Sequence, residues 1–426
     1  MTLALFLAVL IGAILLRLPV AFALLAAAGA LMLQMGMFSA DIVSQSLING
    51  VDNFALLAIP FFMVAGEVMA VGGLSDRIVR LAMALVGHWR GGLGYVAIIT
   101  SLLLAGLSGS AVADAAALVS ILYPMMRKSG YPASRSVGLL AAGGIIAPVI
   151  PPSLPLIILG VAGNLSIAKL FIGGIVPGLF MGLALMITWR FMMRKSDLEP
   201  QPKATRGERL KALRDSVWAL LLPVIIIVGI RFGVFTPTEA AVVAAVYAIV
   251  VSAVVYRELD ARKLLAVLIR AGRSTALVMF LVGAAMVASW VITIAQLPQQ
   301  LAGLLGPLAD DPKLLMAAIM VVVLLVGMVM DLAPAILILV PLFMPLVKAA
   351  GIDPIYFGLM FVINCCIGLI TPPVGTVLNV VCGVGNTTMT NAVRGVYPFV
   401  LVYIGLLALF VLVPQIITVP MHWLIG

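Results

Sequence analysis

Charge is what this chain has least of. Of its 426 residues only 10% are Asp, Glu, Lys or Arg, while 64% are hydrophobic. A soluble domain needs roughly a quarter of its residues charged to cover its surface, so a soluble enzyme or binding module is excluded. Histidine is scarce too. His88 and His422 lie far apart, which leaves no histidine-rich metal site and no credible Ser/His/Asp order. The three cysteines, Cys365, Cys366 and Cys382, sit in apolar runs, and two are adjacent, which argues against a disulfide framework. There is no P-loop and no HExxH. The chain is therefore expected to be no enzyme and to hydrolyse no ATP itself.

What fills the chain is apolar sequence in long, repeated runs. A hydrocarbon core of about 30 Å needs about 20 residues per helix. Lipid offers the backbone no partners, so only helices or a closed barrel can span it. Stretches such as Leu314–Val329 do not alternate as barrel strands do, so they read as helices. Full spans are predicted near 2–17, 19–36, 54–72, 136–166, 169–193, 216–232, 237–256, 274–294, 355–385 and 392–418. Met1–Leu16 lacks a basic leader and reads as a retained first helix. Two further stretches, 94–127 and 313–348, are too long for one pass. Each breaks in its middle, at Ser108-Gly109-Ser110 and at Asp331-Leu332-Ala333-Pro334. The arms are then about 14 residues, or about 21 Å at 1.5 Å per residue. Both stretches read as re-entrant hairpins.

The net charge of +9 is not a nucleic-acid signal, because the basic residues sit in short loops between apolar runs. They report topology instead. On this layout only Lys169, Arg231, Lys313 and Lys348 fall on one side, and all the other Lys and Arg fall on the opposite, cytoplasmic side. Both termini are expected on the far side, as is the acidic pair Asp310-Asp311.

The sequence also repeats itself. Pro124 and Pro345, Gly130 and Gly351, Pro151 and Pro372, and Pro177 and Pro398 all share one spacing of 221 residues. The expected fold is all-α and polytopic: two repeats, each with five spanning helices and one re-entrant hairpin. Five is odd, so the second repeat enters the membrane inverted. Such repeats place a binding site near the midplane, at broken helices. The first repeat covers 1–193, with its hairpin at 94–127 and broken helix at 136–166. A polar cytoplasmic linker covers 194–215. The second repeat covers 216–426, with its hairpin at 313–348 and broken helix at 355–385.

Chemistry is concentrated at the four interruptions. Ser108, Gly109 and Ser110 supply hydroxyls and accessible carbonyls at mid-membrane depth, with Asp114 one turn on. A charge at that depth normally has a partner. In APVIPPS, Ala147–Ser153, proline ends a helix and leaves the carbonyls of Ala147, Pro148, Ile150 and Pro151 without intrahelical partners. Free carbonyls at a helix C-terminus suit a bare cation, and the next helix N-terminus suits an anion. The second half repeats this with Asp331 at the tip of GMVMDLAP, and with Thr371, Gly375, Thr376 and Asn379 in GLITPPVGTVLN. Asp331 can be a cation ligand, a proton carrier or a helix N-cap. Glu239 follows Thr236-Pro237-Thr238 and reads as a first-turn structural residue. Glu67 shows no partner in sequence. A channel is the competing class, since re-entrant loops also line pores, and the Asp114/Asp331 pair admits a proton-coupled transporter.

GLSGSAVADAAA at 106–117, PPSLPLIILG at 151–160, FTPTEAA at 235–241, MDLAPAILILVP at 330–341 and GLITPPVG at 368–375 resemble the large membrane subunit of tripartite ATP-independent periplasmic (TRAP) transporters. The resemblance covers nearly the whole chain. It implies a Na⁺-coupled importer of organic acids in the bacterial inner membrane, with a scaffold domain and a moving elevator domain. It implies a small four-helix membrane subunit and a soluble periplasmic substrate-binding protein as partners. Carried over, Ser108 and Ser110 with the Ala147–Pro151 carbonyls would make one Na⁺ site. Gly327 and Asp331 with Thr371, Val374 and Gly375 would make the other. A substrate carboxylate is expected between the hairpin tips, with Ser153, Asp114, Pro334, Thr376 and Asn379 as its candidate contacts. Ala142-Gly143-Gly144 departs from the family, where many members carry serines.

Overall fold

The computed structural model describes residues 2–194, 202–301, 303 and 311–425. Among these residues every regular element is helical. In chain order they are α1 (Thr2–Leu15), α2 (Val20–Gln34), α3 (Ala40–Val51), α4 (Ala58–Val71), α5 (Leu74–Val86), α6 (Gly92–Ser108), α7 (Ala111–Lys128), α8 (Ala133–Gly144), α9 (Leu154–Gly163) and α10 (Ile167–Met193). There follow α11 (Arg206–Arg231), α12 (Pro237–Val250), α13 (Ala261–Ile294), α14 (Pro312–Gly327), α15 (Leu332–Ala349), α16 (Pro354–Leu369), α17 (Thr376–Gly385), α18 (Met389–Leu412) and α19 (Gln415–Ile425). Seven of the described helices are long and apolar enough to cross a membrane.

The helix ends are written in local sequence. Thr205 and Thr236 each form a reciprocal capping box, with Glu208 and Glu239 respectively. This fixes Glu239 as a structural first-turn residue. Pro237, Pro312 and Pro354 open their helices where the missing N–H costs nothing. Asn164 and Asn386, with φ of 51° and 48°, close α9 and α17 in the left-handed region.

Two features depart from the sequence reading. α3 and α5 lie between predicted spans. They are amphipathic, and hydropathy passes over such helices. In α5, Leu74, Ile78 and Ala82 are buried while Arg80 stays in solvent. α11 begins at Arg206 and α13 at Ala261, each well before its predicted apolar run at 216 and 274, because a polar stretch continues as helix once capped. Helix therefore covers 206–215 of the linker, while 195–201 lies outside the described residues, as does Asp310. The predicted 136–166 and 355–385 spans are each divided at an adjacent proline pair, where two missing N–H groups and the ring clash with the preceding turn interrupt the helix.

Packing places the interruptions together. α1, α2, α3 and α4 pack on α13 or on one another, α12 packs on α4, and α5 on α11. Around them the hairpins α6/α7 and α14/α15 cross between halves: α7 packs on α17, α15 packs on α9, and α8 packs on α18. The α8–α18 crossing is close enough that a Cβ on Gly138 would collide with the Gly395 backbone. Small residues permit such approach in membranes. The Tyr403 hydroxyl donates to the Ala142 carbonyl across the same seam at 2.9 Å. Ala142, Gly143 and Gly144 are thus buried at a helix–helix contact.

Candidate functional site

The first hairpin turns on Gly109, whose φ of 60° suits glycine. Ser110 then caps α7, its hydroxyl accepting from the Ala113 N–H at 3.4 Å. Ser108 closes α6, and its side chain lies outside the described residues. The tip sits directly on the break of its own half. A Cβ on Gly109 would fall 2.8 Å from both the Pro152 carbonyl oxygen and Ser153 Cα, and one on Gly106 would fall 3.4 Å from the Pro151 oxygen.

That break is sealed. Ala147 and Val149 are about 1% exposed, and so is Ser153. The Ser153 hydroxyl donates to the Pro148 carbonyl at 2.5 Å and accepts from the Leu156 N–H at 3.4 Å. Ile150 is only partly buried, and Pro151 is buried. Both proline pairs, Pro151-Pro152 and Pro372-Pro373, have cis peptide bonds.

The second hairpin tip runs Gly327 to Asp331. The Asp331 carboxylate accepts from the Leu332 N–H at 2.8 Å and caps α15, while the residue itself is exposed. One buried turn on is Pro334. This tip also meets its own break. A Cβ on Gly327 would lie 3.2 Å from Cys365 Cα and 3.5 Å from Gly368 Cα, and the Gly375 N–H donates to the Met328 carbonyl at 3.3 Å. Thr371 donates to the Ile367 carbonyl at 2.6 Å. Asn379, which is exposed, donates to the Val374 carbonyl at 3.1 Å. The Thr376 hydroxyl is buried without a hydrogen-bond partner. The donors gathered at both tips are carbonyls, hydroxyls and one carboxylate, the oxygen set that hard cations take.

A cavity of about 250 Å³ opens beside the first tip. Phe62, Glu67, Ser110, Asp114, Leu154 and Ser274 line it. Asp114 is 5% exposed, in the first turn of α7. Glu67 finds its partner here: Arg270 Nε lies 2.8 Å from Glu67 Oε2 and joins α13 to α4. Sequence reasoning missed Arg270 and Ser274, because nothing local links positions so far apart. It also passed over Asn364, which is fully buried in α16 and donates to the Met320 carbonyl. A lone asparagine in the apolar run FVINCC was the available signal. The Asn364 Oδ1 has no hydrogen-bond partner.

A family model for the "Tripartite ATP-independent periplasmic transporter, DctM component" matches residues 7–416. The chain belongs to the DctM family. It is 55% identical over 424 residues, the full length of both chains, to the 2,3-diketo-L-gulonate TRAP transporter large permease protein of Escherichia coli. It is 40% identical to the sialic acid TRAP transporter large permease of Vibrio cholerae, over 95% of each chain. With the C4-dicarboxylate TRAP transporter large permease of Pseudomonas aeruginosa it shares 38% identity, over 91% of this chain and 92% of that one. The crystal structure of the Alcanivorax borkumensis YdaH transporter is similar in fold, with a TM-score of 0.64 at 15% identity over 88% of this chain and 89% of that chain. Membership in DctM makes the chain a multi-span component of a transporter rather than an enzyme.

Proposed function

We propose that this DctM-family chain imports an organic acid, a sugar acid or other carboxylate, driven by an inward Na⁺ gradient across the bacterial inner membrane. The support that weighs most is the seating of each hairpin tip on the helix break of its own half. Each junction gathers backbone carbonyls that no helix uses, and an oxygen cage of this kind suits a desolvated Na⁺. One ion site is Ser108 and Ser110 with the Ala147–Pro151 carbonyls. The other is Gly327 and Asp331 with Thr371, Val374 and Gly375. The substrate carboxylate lies between the tips near helix N-termini, with Asp114, Thr376 and Asn379 near it and Pro334 shaping the wall, while Ser153, buried with its hydroxyl engaged, holds the first break from behind.

The shared 221-residue spacing, the paired prolines and the paired caps Asn164 and Asn386 support two inverted repeats. In that arrangement both termini face the periplasm. The hairpins and broken helices, clasped crosswise, move as one elevator body against α1–α5 and α11–α13. The names of similar proteins support sugar acids, sialic acids and dicarboxylates as the substrate range. A tripartite system also needs two companions: a small membrane subunit and a soluble periplasmic protein that delivers the substrate.

Proteoliposomes test this directly. Uptake of radiolabelled 2,3-diketo-L-gulonate is expected only with an inward Na⁺ gradient, the small subunit and the binding protein. Replacing Na⁺ by choline at fixed pH should abolish it. Uptake that persists in choline and follows a pH gradient would replace Na⁺ by H⁺. Non-saturating flux without accumulation would make the chain a channel.

A further inference from the structure

We propose a binding site for the phosphodiester of an anionic phospholipid, on the arginine-rich face of the membrane and away from both hairpin tips. A cavity of about 470 Å³ opens there, lined by Trp89, Arg90, Tyr95, Arg190, Phe191 and Arg194. This is the volume range of small-molecule sites. Three arginines line it from two separate chain segments, the turn before α6 and the end of α10. Among the described residues that line it none is acidic.

Its depth in the bilayer follows from helix length. The 27 residues of α10 span about 40 Å, longer than a hydrocarbon core of about 30 Å. The last turn, with Arg190 and Arg194, therefore reaches the headgroup layer. Exposed aromatics mark the same layer: Trp89 is 47% exposed and Phe191 68%. Trp89 packs edge-to-face on Tyr95 at 5.3 Å, which makes a rigid wall. The two segments are tied together as well, since the buried Trp189 of α10 donates to the Gly91 carbonyl at 2.9 Å and stacks on Tyr131.

Two of these arginines also complement the negative end of the α10 dipole. That accounts for basic residues on the helix, but not for Arg90 on another segment or for a walled cavity between them. Guanidinium forks match phosphate oxygens in pairs. Basic pockets between helices near the membrane surface take lipid headgroups, and the flanking Phe191 is placed to meet an acyl chain. The inference does not depend on what the chain transports.

The full chain, purified in an uncharged detergent, can be titrated with dihexanoyl phosphatidylglycerol, dihexanoyl phosphatidylcholine and inorganic phosphate, with adducts counted by native mass spectrometry. Phosphatidylglycerol is expected to bind about tenfold or more tighter than either other probe. The double variant Arg190→Gln/Arg194→Gln should lose about tenfold or more of that affinity, at roughly 1 kcal/mol per surface arginine. Each single variant should lose a part of it, which keeps the test alive if the double variant fails to fold. Arg262→Gln/Arg273→Gln removes the same charge elsewhere and should change nothing. Equal binding of phosphatidylcholine, equal binding of free phosphate, or an equal loss in the control pair would each overturn the assignment.

Discussion

The two helix breaks are built from the same parts and end in different states. Between α8 and α9 the break is closed by its own side chain. Ser153 satisfies the Pro148 carbonyl and caps α9, and the segment is buried. Between α16 and α17, Gly375 stands at the cap with a φ of 51° and has no side chain to offer. Its N–H turns to the Met328 carbonyl of the hairpin tip instead. Pro372 and Pro373 are exposed, as is Val374, and the Thr376 hydroxyl is unmatched. The first break is therefore a self-contained joint. The second depends on its hairpin and keeps an unmatched hydroxyl at the start of α17.

The largest test of this asymmetry is Asp331→Ala. Loss of a charged ligand is worth about 1.5–3 kcal/mol, so Na⁺-dependent uptake should fall about 10- to 100-fold, against about 1 kcal/mol of stability for the cap alone. Uptake retained beside a lowered melting temperature would reduce Asp331 to a cap. Next in size is Gly109→Val, which drives a side chain into Pro152 and Ser153 at a left-handed φ. Overpacking of this kind costs about 1–3 kcal/mol, and thermal melting together with uptake should both register it. Ser153→Ala should lower stability by about 1–2 kcal/mol while KM stays put. A rise of about tenfold in KM would mean that the first break also touches substrate. Thr376→Val removes a hydroxyl that has no partner, so melting should move by less than about 1 kcal/mol. A several-fold rise in KM is expected in the same variant, and an unchanged KM would remove Thr376 from the site. Smallest of all is Arg270→Gln. Its ion pair with Glu67 is partly exposed, with side chains at 46% and 34%, and pairs of that sort contribute about 0–1 kcal/mol.

How much of this was legible in the sequence varied with the range of the interaction. The hairpin tips and proline breaks were readable because glycine, proline and capping residues act on the backbone within a few positions. Asp331 as a cap is such a case: the carboxylate reaches only the next N–H. The helices α3 and α5 were not readable as spans from hydropathy, since charged and polar residues interrupt their apolar positions and each is too short to cross a membrane. Arg77 illustrates the remainder. It looks like a topology charge in sequence, yet in the fold it pairs with Glu258 at 2.8 Å and lies 3.6 Å over the Tyr256 ring.

Composition and periodicity by themselves determined a helical membrane protein with two sets of matched interruptions, because lipid leaves the backbone no other way to satisfy its polar groups. Tertiary structure alone decided that each tip meets its own break, that α7 and α15 cross into the opposite half, and that Glu67 faces Arg270. Those contacts join residues tens to hundreds of positions apart, and their energies arise only once helices have packed.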